Sequence, residues 1–137
     1  IMLGYEGETL QDIEETTEHL KQSNPDIFLT TVAYPIKGTP YYAEVESRLL
    51  ADRAWHERSD RDLTVAGRYS KRFYAHATRW MVNEVALHQA RVNGGVSRKR
   101  RARLWLNAKL GRVGMRLTHH ERESQGQPLE AIEVTAS

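Results

Sequence analysis

At 137 residues the chain is long enough for one domain with its own core and short for two. It has no cysteine, which excludes disulfides and any thiolate-held metal or iron–sulfur cluster bound by these residues. No run approaches the ~18 apolar residues of a membrane span, and the ordinary balance of 39% hydrophobic and 28% charged residues predicts a cytoplasmic protein.

The net charge of +2 hides a strong division. Residues 1–66 hold 6 Lys/Arg against 13 Asp/Glu, residues 67–120 hold 13 against 1, and residues 121–137 hold 1 against 4. The chain therefore has an acidic front, a basic middle and a short acidic tail. That division predicts an α/β unit over 1–52, a basic helical region over 53–120 and a disordered tail over 121–137.

In chain order, the apolar run Ile-Met-Leu at 1–3 reads as the end of a buried parallel strand. Its abrupt opening suggests the C-terminal piece of a longer polypeptide, with a strand edge left unpaired at 1–3. Gly4 and Gly7 flank Tyr5 and Glu6 in a tight strand-to-helix turn. Thr9 is placed to cap a helix, with Asp12 three residues later completing a capping box. Leu10, Ile13, Thr17 and Leu20 recur at helical spacing, Glu18 and Lys21 pair on the outer side, and Asn24-Pro25 stops the helix.

Residues 27–33 (Ile-Phe-Leu-Thr-Thr-Val-Ala) are rich in β-formers and predict the second strand. Thr39-Pro40 opens a further helix, expected to reach about Ala51 with Val45 and Leu49 on its inner face. Leu63-Thr64-Val65 has the composition of a short strand. From Ser70 to Val92 the spacing of Phe73, Ala77, Trp80, Met81 and Leu87 predicts a long helix, and Gly94-Gly95 ends it. Ser97 caps a last helix to about Leu117, with Leu104, Ala108, Leu110 and Val113 as its apolar positions. Gly111 and Gly114 each weaken that helix by roughly 1 kcal/mol relative to alanine.

Two stretches carry the functional reading. Met-Leu-Gly-Tyr-Glu-Gly-Glu-Thr at 2–9, then Asp12-Ile13 and Thr16-Thr17 on the helix, then Ala-Tyr-Pro-Ile-Lys-Gly-Thr-Pro at 33–40, resemble the radical S-adenosylmethionine superfamily. The likeness is to the C-terminal part of the radical domain in enzymes that also carry an N-terminal cobalamin-binding domain. The family's usual turn is Gly-x-Pro-Gly-Glu-Thr, and Glu6 stands here in the proline position, a variant associated with that cobalamin subgroup. Beyond residue 42 the likeness extends loosely to Gly67-Arg68-Tyr69-Ser70 and Arg72-Phe73-Tyr74.

The resemblance implies that the α/β part supplies the last two strand–helix units of a partial (β/α)6 TIM-like barrel, followed by a mainly α-helical C-terminal region. It implies S-adenosylmethionine binding by Met2, Gly4, Tyr5, Gly7 and Glu8 at the first strand's end and by Ala33, Tyr34 and Pro35 at the second's, with the adenine against Met2 and 33–35. No residue of this chain is implied in catalysis or metal binding. The family's [4Fe-4S] cluster is held by a Cys-x-x-x-Cys-x-x-Cys loop that this chain lacks, so the cluster and any cobalamin would sit on the missing N-terminal part of the same polypeptide. The parent would be an enzyme acting on a small-molecule substrate, and this piece alone would be inactive.

An alternative reading is a basic helical RNA- or DNA-binding module on an α/β scaffold. It rests on 98–103 (Arg-Lys-Arg-Arg-Ala-Arg), with Trp80 and Trp105 near in sequence. A solvated basic face balanced by the acidic front and tail explains the same residues with fewer assumptions. The histidines show no zinc spacing: His76 and His88 lie three turns apart, His119 and His120 are adjacent, and His19 and His56 have no partner in sequence. Asp60-Arg61-Asp62 reads as a local ion pair in a loop.

Overall fold

Each of the four α-helices among the described residues begins at a hydroxyl side chain. The structure, a computed structural model, describes residues 1–51, 59, 63–124 and 127–128. Helix α1 (Leu10–Ser23) starts at Thr9, whose hydroxyl accepts the Asp12 N–H while the Asp12 carboxylate accepts the Thr9 N–H, a complete capping box. It ends at Asn24 in the left-handed conformation. Thr39 caps α2 (Pro40–Val45), Ser70 caps α3 (Lys71–Val92) and Ser97 caps α4 (Arg98–Thr118), each hydroxyl accepting a backbone N–H three residues on. These starts are local chemistry, and they lie where the sequence predicts them.

The strands are short. β1 (Met2–Leu3) pairs in parallel with β2 (Thr31–Val32), Met2 opposite Thr31 and Leu3 opposite Val32. Helix α1 is the crossover between them, so both strands deliver their C-terminal ends to one edge. Among the described residues the outer edge of β1 has no strand partner. The predicted strand over 27–33 is much reduced: Ile27 and Leu29 are 83% and 79% exposed. Only Thr31 and Val32 pair, because β1 offers just two partner residues.

The helix expected from Pro40 to about Ala51 is also cut short. After α2 the chain makes a single 3-10 turn, Glu46–Arg48, and enters β3 (Leu49–Ala51). β3 lies antiparallel between β4 (Leu63–Val65) and β5 (Gln127–Pro128). Leu49 is buried as predicted, but from a strand, in a small core with Tyr42, Val45, Leu63 and Val65. Three-residue pairing buries Leu49, Leu50 and Ala51 on a sheet, where a continued helix would leave part of that run outside.

The larger core joins the two halves. Leu3 and Ile13 from the front pack with Phe73, Met81, Val85 and Met115 from the helical hairpin of α3 and α4. The chain beyond α4 belongs to the fold at its start: the Glu123 N–H donates to Arg68 O, and Gly67 N–H and Ser70 N–H donate to Glu123 O and Glu121 O. Where the sequence leads to an expectation of disorder over 121–137, residues 121–123 bond to the turn at 67–70 and β5 pairs with β3. The remainder of that tail, the loop pair at Asp60-Arg61-Asp62 and His56 lie outside the described residues. The chain is thus α/β, mostly helical with few small strands. Among the described residues no helix is long and apolar enough to cross a membrane.

The inner face of α4 differs from the expectation. Leu110 and Val113 are 46% and 52% exposed, and the buried positions are Ala108, Gly111, Gly114, Met115 and Thr118. Small residues face α3 because the two helices pack closely. A Cβ on Gly111 would stand 2.6 Å from the Trp80 backbone nitrogen, and one on Gly114 would overlap the His76 ring. The two glycines weaken α4 as an isolated helix and permit its docking.

Candidate functional site

The shared edge of β1 and β2 holds most of the residues singled out in the sequence. Gly4 leaves β1 at φ +80, and a Cβ there would stand 3.0 Å from the Tyr74 ring and 3.2 Å from Val32, so both conformation and space call for glycine. The turn closes by the Glu8 N–H donating to Tyr5 O at 3.1 Å. The Glu8 carboxylate reaches back to accept the Gly4 N–H at 2.7 Å. Partial burial pushes the Glu8 carboxyl above its ordinary value of 4.5, opposed by the Gly4 hydrogen bond.

That shift has a sign that can be checked. A carboxyl raised in the folded state favours the protonated form. Its contribution to stability is therefore fully present below pH 4.5 and is lost as pH rises through the raised value. Glu8→Gln keeps an acceptor for Gly4 and removes the charge. The variant should match the parent at low pH and exceed it at neutral pH by at most about 1 kcal/mol, since the half-buried site is screened by solvent. Urea midpoints across the acid range would show it.

Tyr5 stacks on Tyr41 of α2, ring centroids 4.9 Å apart at 28°. Glu6 is paired with Arg48 at 2.9 Å, which answers part of the negative charge of the turn. On the second strand Ala33 is buried, and its N–H donates to Leu3 O at 2.7 Å. Its carbonyl accepts from Arg68 Nη1 at 2.5 Å. Pro35 is fully buried, whereas Met2 is 60% exposed because alternation along β1 turns Leu3 inward in its place.

Two cavities meet at Arg68 and Tyr74. One, of about 240 Å³, is walled by 5–8 together with Arg48, Arg68 and Tyr74. The other, of about 390 Å³ and more apolar, is walled by Val32, Ala33 and Tyr34 with Arg68, Tyr74 and Ala75. Tyr5, Gly7, Glu8, Ala33 and Tyr34 are thus brought to two adjoining hollows. Met2 and Pro35 are in neither wall, and Gly4 lies behind the first, against Tyr74.

Arg68 and Tyr74 belong to this site although neither stands among the residues that the family pattern assigns to it. The Arg68 guanidinium lies 5.7 Å from the centre of the Tyr74 ring. Burial drives the Tyr74 hydroxyl strongly upward, so the phenol stays protonated. Arg68 Nε is buried with no hydrogen-bond partner among the described residues. A buried donor left in that state is unusual and calls for an acceptor. The signal in sequence is faint: an arginine directly after Gly67, in a turn leading to Ser70.

The chemistry available here is recognition. Apolar walls, tyrosine rings and a guanidinium at the boundary of the two hollows fit a flat aromatic ring. They do not fit an iron–sulfur cluster, since the chain has no cysteine, and among the described residues no three His, Asp or Glu side chains gather to hold a metal ion. His119 and His120 pack at 3.8 Å between ring centroids, and the His119 Nδ1 lies 2.7 Å from the Arg116 carbonyl. Comparison with family models, with curated proteins and with solved structures returns no match.

Proposed function

We propose that the chain is the C-terminal part of a radical S-adenosylmethionine enzyme of the cobalamin-binding subgroup, and that it walls the adenosine end of the S-adenosylmethionine site. On this reading β1–α1 and β2–α2 are the last two strand–helix units of a partial (β/α)6 barrel, and the helical hairpin braces them from behind. The observation that carries the reading is the parallel pairing of β1 and β2, which sets 4–8 and 33–34 beside two adjoining hollows at one strand edge. Ligands of α/β folds sit at such an edge.

The apolar cavity beside Ala33 and Tyr34 would take the adenine ring, with Arg68 and Tyr74 forming its far wall. The turn at 4–8 would hold the ribose side, through backbone amides and the Glu8 carboxylate. When bound, S-adenosylmethionine would supply the radical; these residues bind and orient it. The cluster and cobalamin would be held by an upstream part of the same polypeptide, and the substrate would be a small molecule bound there.

The coding sequence upstream of Ile1 tests this. An in-frame extension carrying Cys-x-x-x-Cys-x-x-Cys is the expected result. A stop codon shortly before Ile1, or a long extension without that motif, would overturn it.

A further inference from the structure

Helix α4 has two faces, and among the described residues only one packs against the fold. Ala108, Gly111, Gly114, Met115 and Thr118 pack inward. Leu106, Leu110, Val113 and Leu117 fall at i, i+4, i+7 and i+11, a single line along the outer side, and are 51%, 46%, 52% and 70% exposed. Trp105 flanks that line and is half exposed, with the Lys109 ammonium 6.0 Å from its ring centre. A contiguous stripe of four large aliphatic side chains is more than the scattered exposed leucine of an ordinary surface.

Charge says what would cover it. Residues 98–118 hold eight Lys/Arg and no Asp or Glu. Arg112 is committed inward, paired with Glu14 of α1 and lying over the Trp80 ring. Arg98, Lys99, Arg100, Arg101, Arg103, Lys109 and Arg116 are exposed. The cations lie beside the stripe and along its N-terminal continuation, at Lys99 and Arg103. A second copy meeting the stripe face to face would set these cations against their equals. A nucleic acid would use the cations but bury no leucine. An anionic bilayer matches both at once, headgroups meeting Lys and Arg while Leu and Trp enter the acyl boundary.

We propose that the outer face of α4 is a docking surface for an anionic lipid bilayer, with the helix lying in the plane of the headgroups. It is independent of the S-adenosylmethionine reading, since α4 contributes no residue to that site.

Sedimentation of the full chain with extruded vesicles tests it. Vesicles of phosphatidylcholine containing phosphatidylglycerol should carry the protein down at low salt, and phosphatidylcholine alone should not. The double variant Leu110→Glu/Leu117→Glu changes only exposed positions, and far-UV circular dichroism should show its helix content unchanged. Its vesicle affinity should fall at least about tenfold, because two apolar side chains are replaced by charges repelled from the anionic surface. The parallel variant Leu110→Gln/Leu117→Gln, which adds no charge, should lose about as much as burial alone contributes. No sedimentation with anionic vesicles would overturn the proposal. So would binding that the Gln variant leaves unchanged, which would mark adhesion by charge alone, as for a nucleic acid. A concentration-dependent dimer abolished by the Gln variant, without vesicle binding, would assign the stripe to a second copy and overturn it as well.

Discussion

Replacing Gly111 by valine should destabilise the protein by about 3 kcal/mol, the upper end of what overpacking a close interface does. The reason lies in what the new side chain meets. A Cβ at Gly111 would be 2.6 Å from the Trp80 nitrogen, 2.8 Å from its Cα and 2.9 Å from its Cβ. Two of those atoms are backbone inside α3, so no rotamer change makes room and the hairpin must open. Gly111→Ala gains about 1 kcal/mol of helix propensity against the same obstruction, and should still be destabilising by about 1 kcal/mol. Gly114→Ala is the control. The atoms nearest its Cβ belong to the half-buried His76 ring, a side chain and not the α3 backbone, so the variant should lie within about 1 kcal/mol of the parent. Denaturant midpoints followed by helical ellipticity, dominated by α3 and α4, would rank the three. Equal effects at 111 and 114 would mean that the hairpin is not packed this tightly.

Arg68→Ala is the second large effect, about 2–3 kcal/mol. Ala33 is buried, and its carbonyl accepts from Arg68 Nη1. Removing the guanidinium leaves that oxygen short of a charged donor, which costs about 1–3 kcal/mol at a buried acceptor. It also strips the cation from beside Tyr74, worth about 0.5–1 kcal/mol more. Arg68→Lys restores a positive charge but not the planar fork, and should recover less than half of the loss. In a chain of this size each kcal/mol moves Tm by roughly 3–4 °C, so the alanine variant should melt about 6–12 °C lower. A lysine variant as stable as the parent would show that charge, and not the directed hydrogen bond to Ala33, is what Arg68 supplies.

These two residues also mark where the sequence is legible. Helix starts are written locally: Thr9 with Asp12, Thr39 with Pro40, Ser70 and Ser97 each satisfy their own first turn, and the structure begins a helix at every one. Leu63-Thr64-Val65 is likewise visible as a strand by composition, and is β4. The end of α2 is not. Leu49 and Leu50 follow Val45 at spacings a helix would accept, and only pairing with 63–65, more than a dozen residues on, makes them a strand. In α4 the assumption that large apolar residues face inward selects the wrong side. Close approach is carried by Gly111 and Gly114, and leucines are left outside.

The site follows the same rule. Gly4 and Gly7 are legible as a strand-to-helix turn, and Ala33 and Tyr34 as the end of the next strand. Met2 is exposed, since a strand alternates and Leu3 takes the interior. Arg68 is separated from Ala33 by 35 residues. Its role arises from the path of the chain back to β2, and the local pattern, an arginine directly after Gly67, gives only a faint sign of it.

Photoaffinity labelling with 8-azido-S-adenosylmethionine, on the polypeptide that carries this chain, tests the central claim most directly. Label displaced by unmodified S-adenosylmethionine and mapped by peptide sequencing to 4–8 and 33–35, and lost in Arg68→Ala while Gly114→Ala retains it, is the predicted result. Displaceable label confined to other segments, or unaltered labelling of 33–35 in the Arg68 variant, would contradict the account.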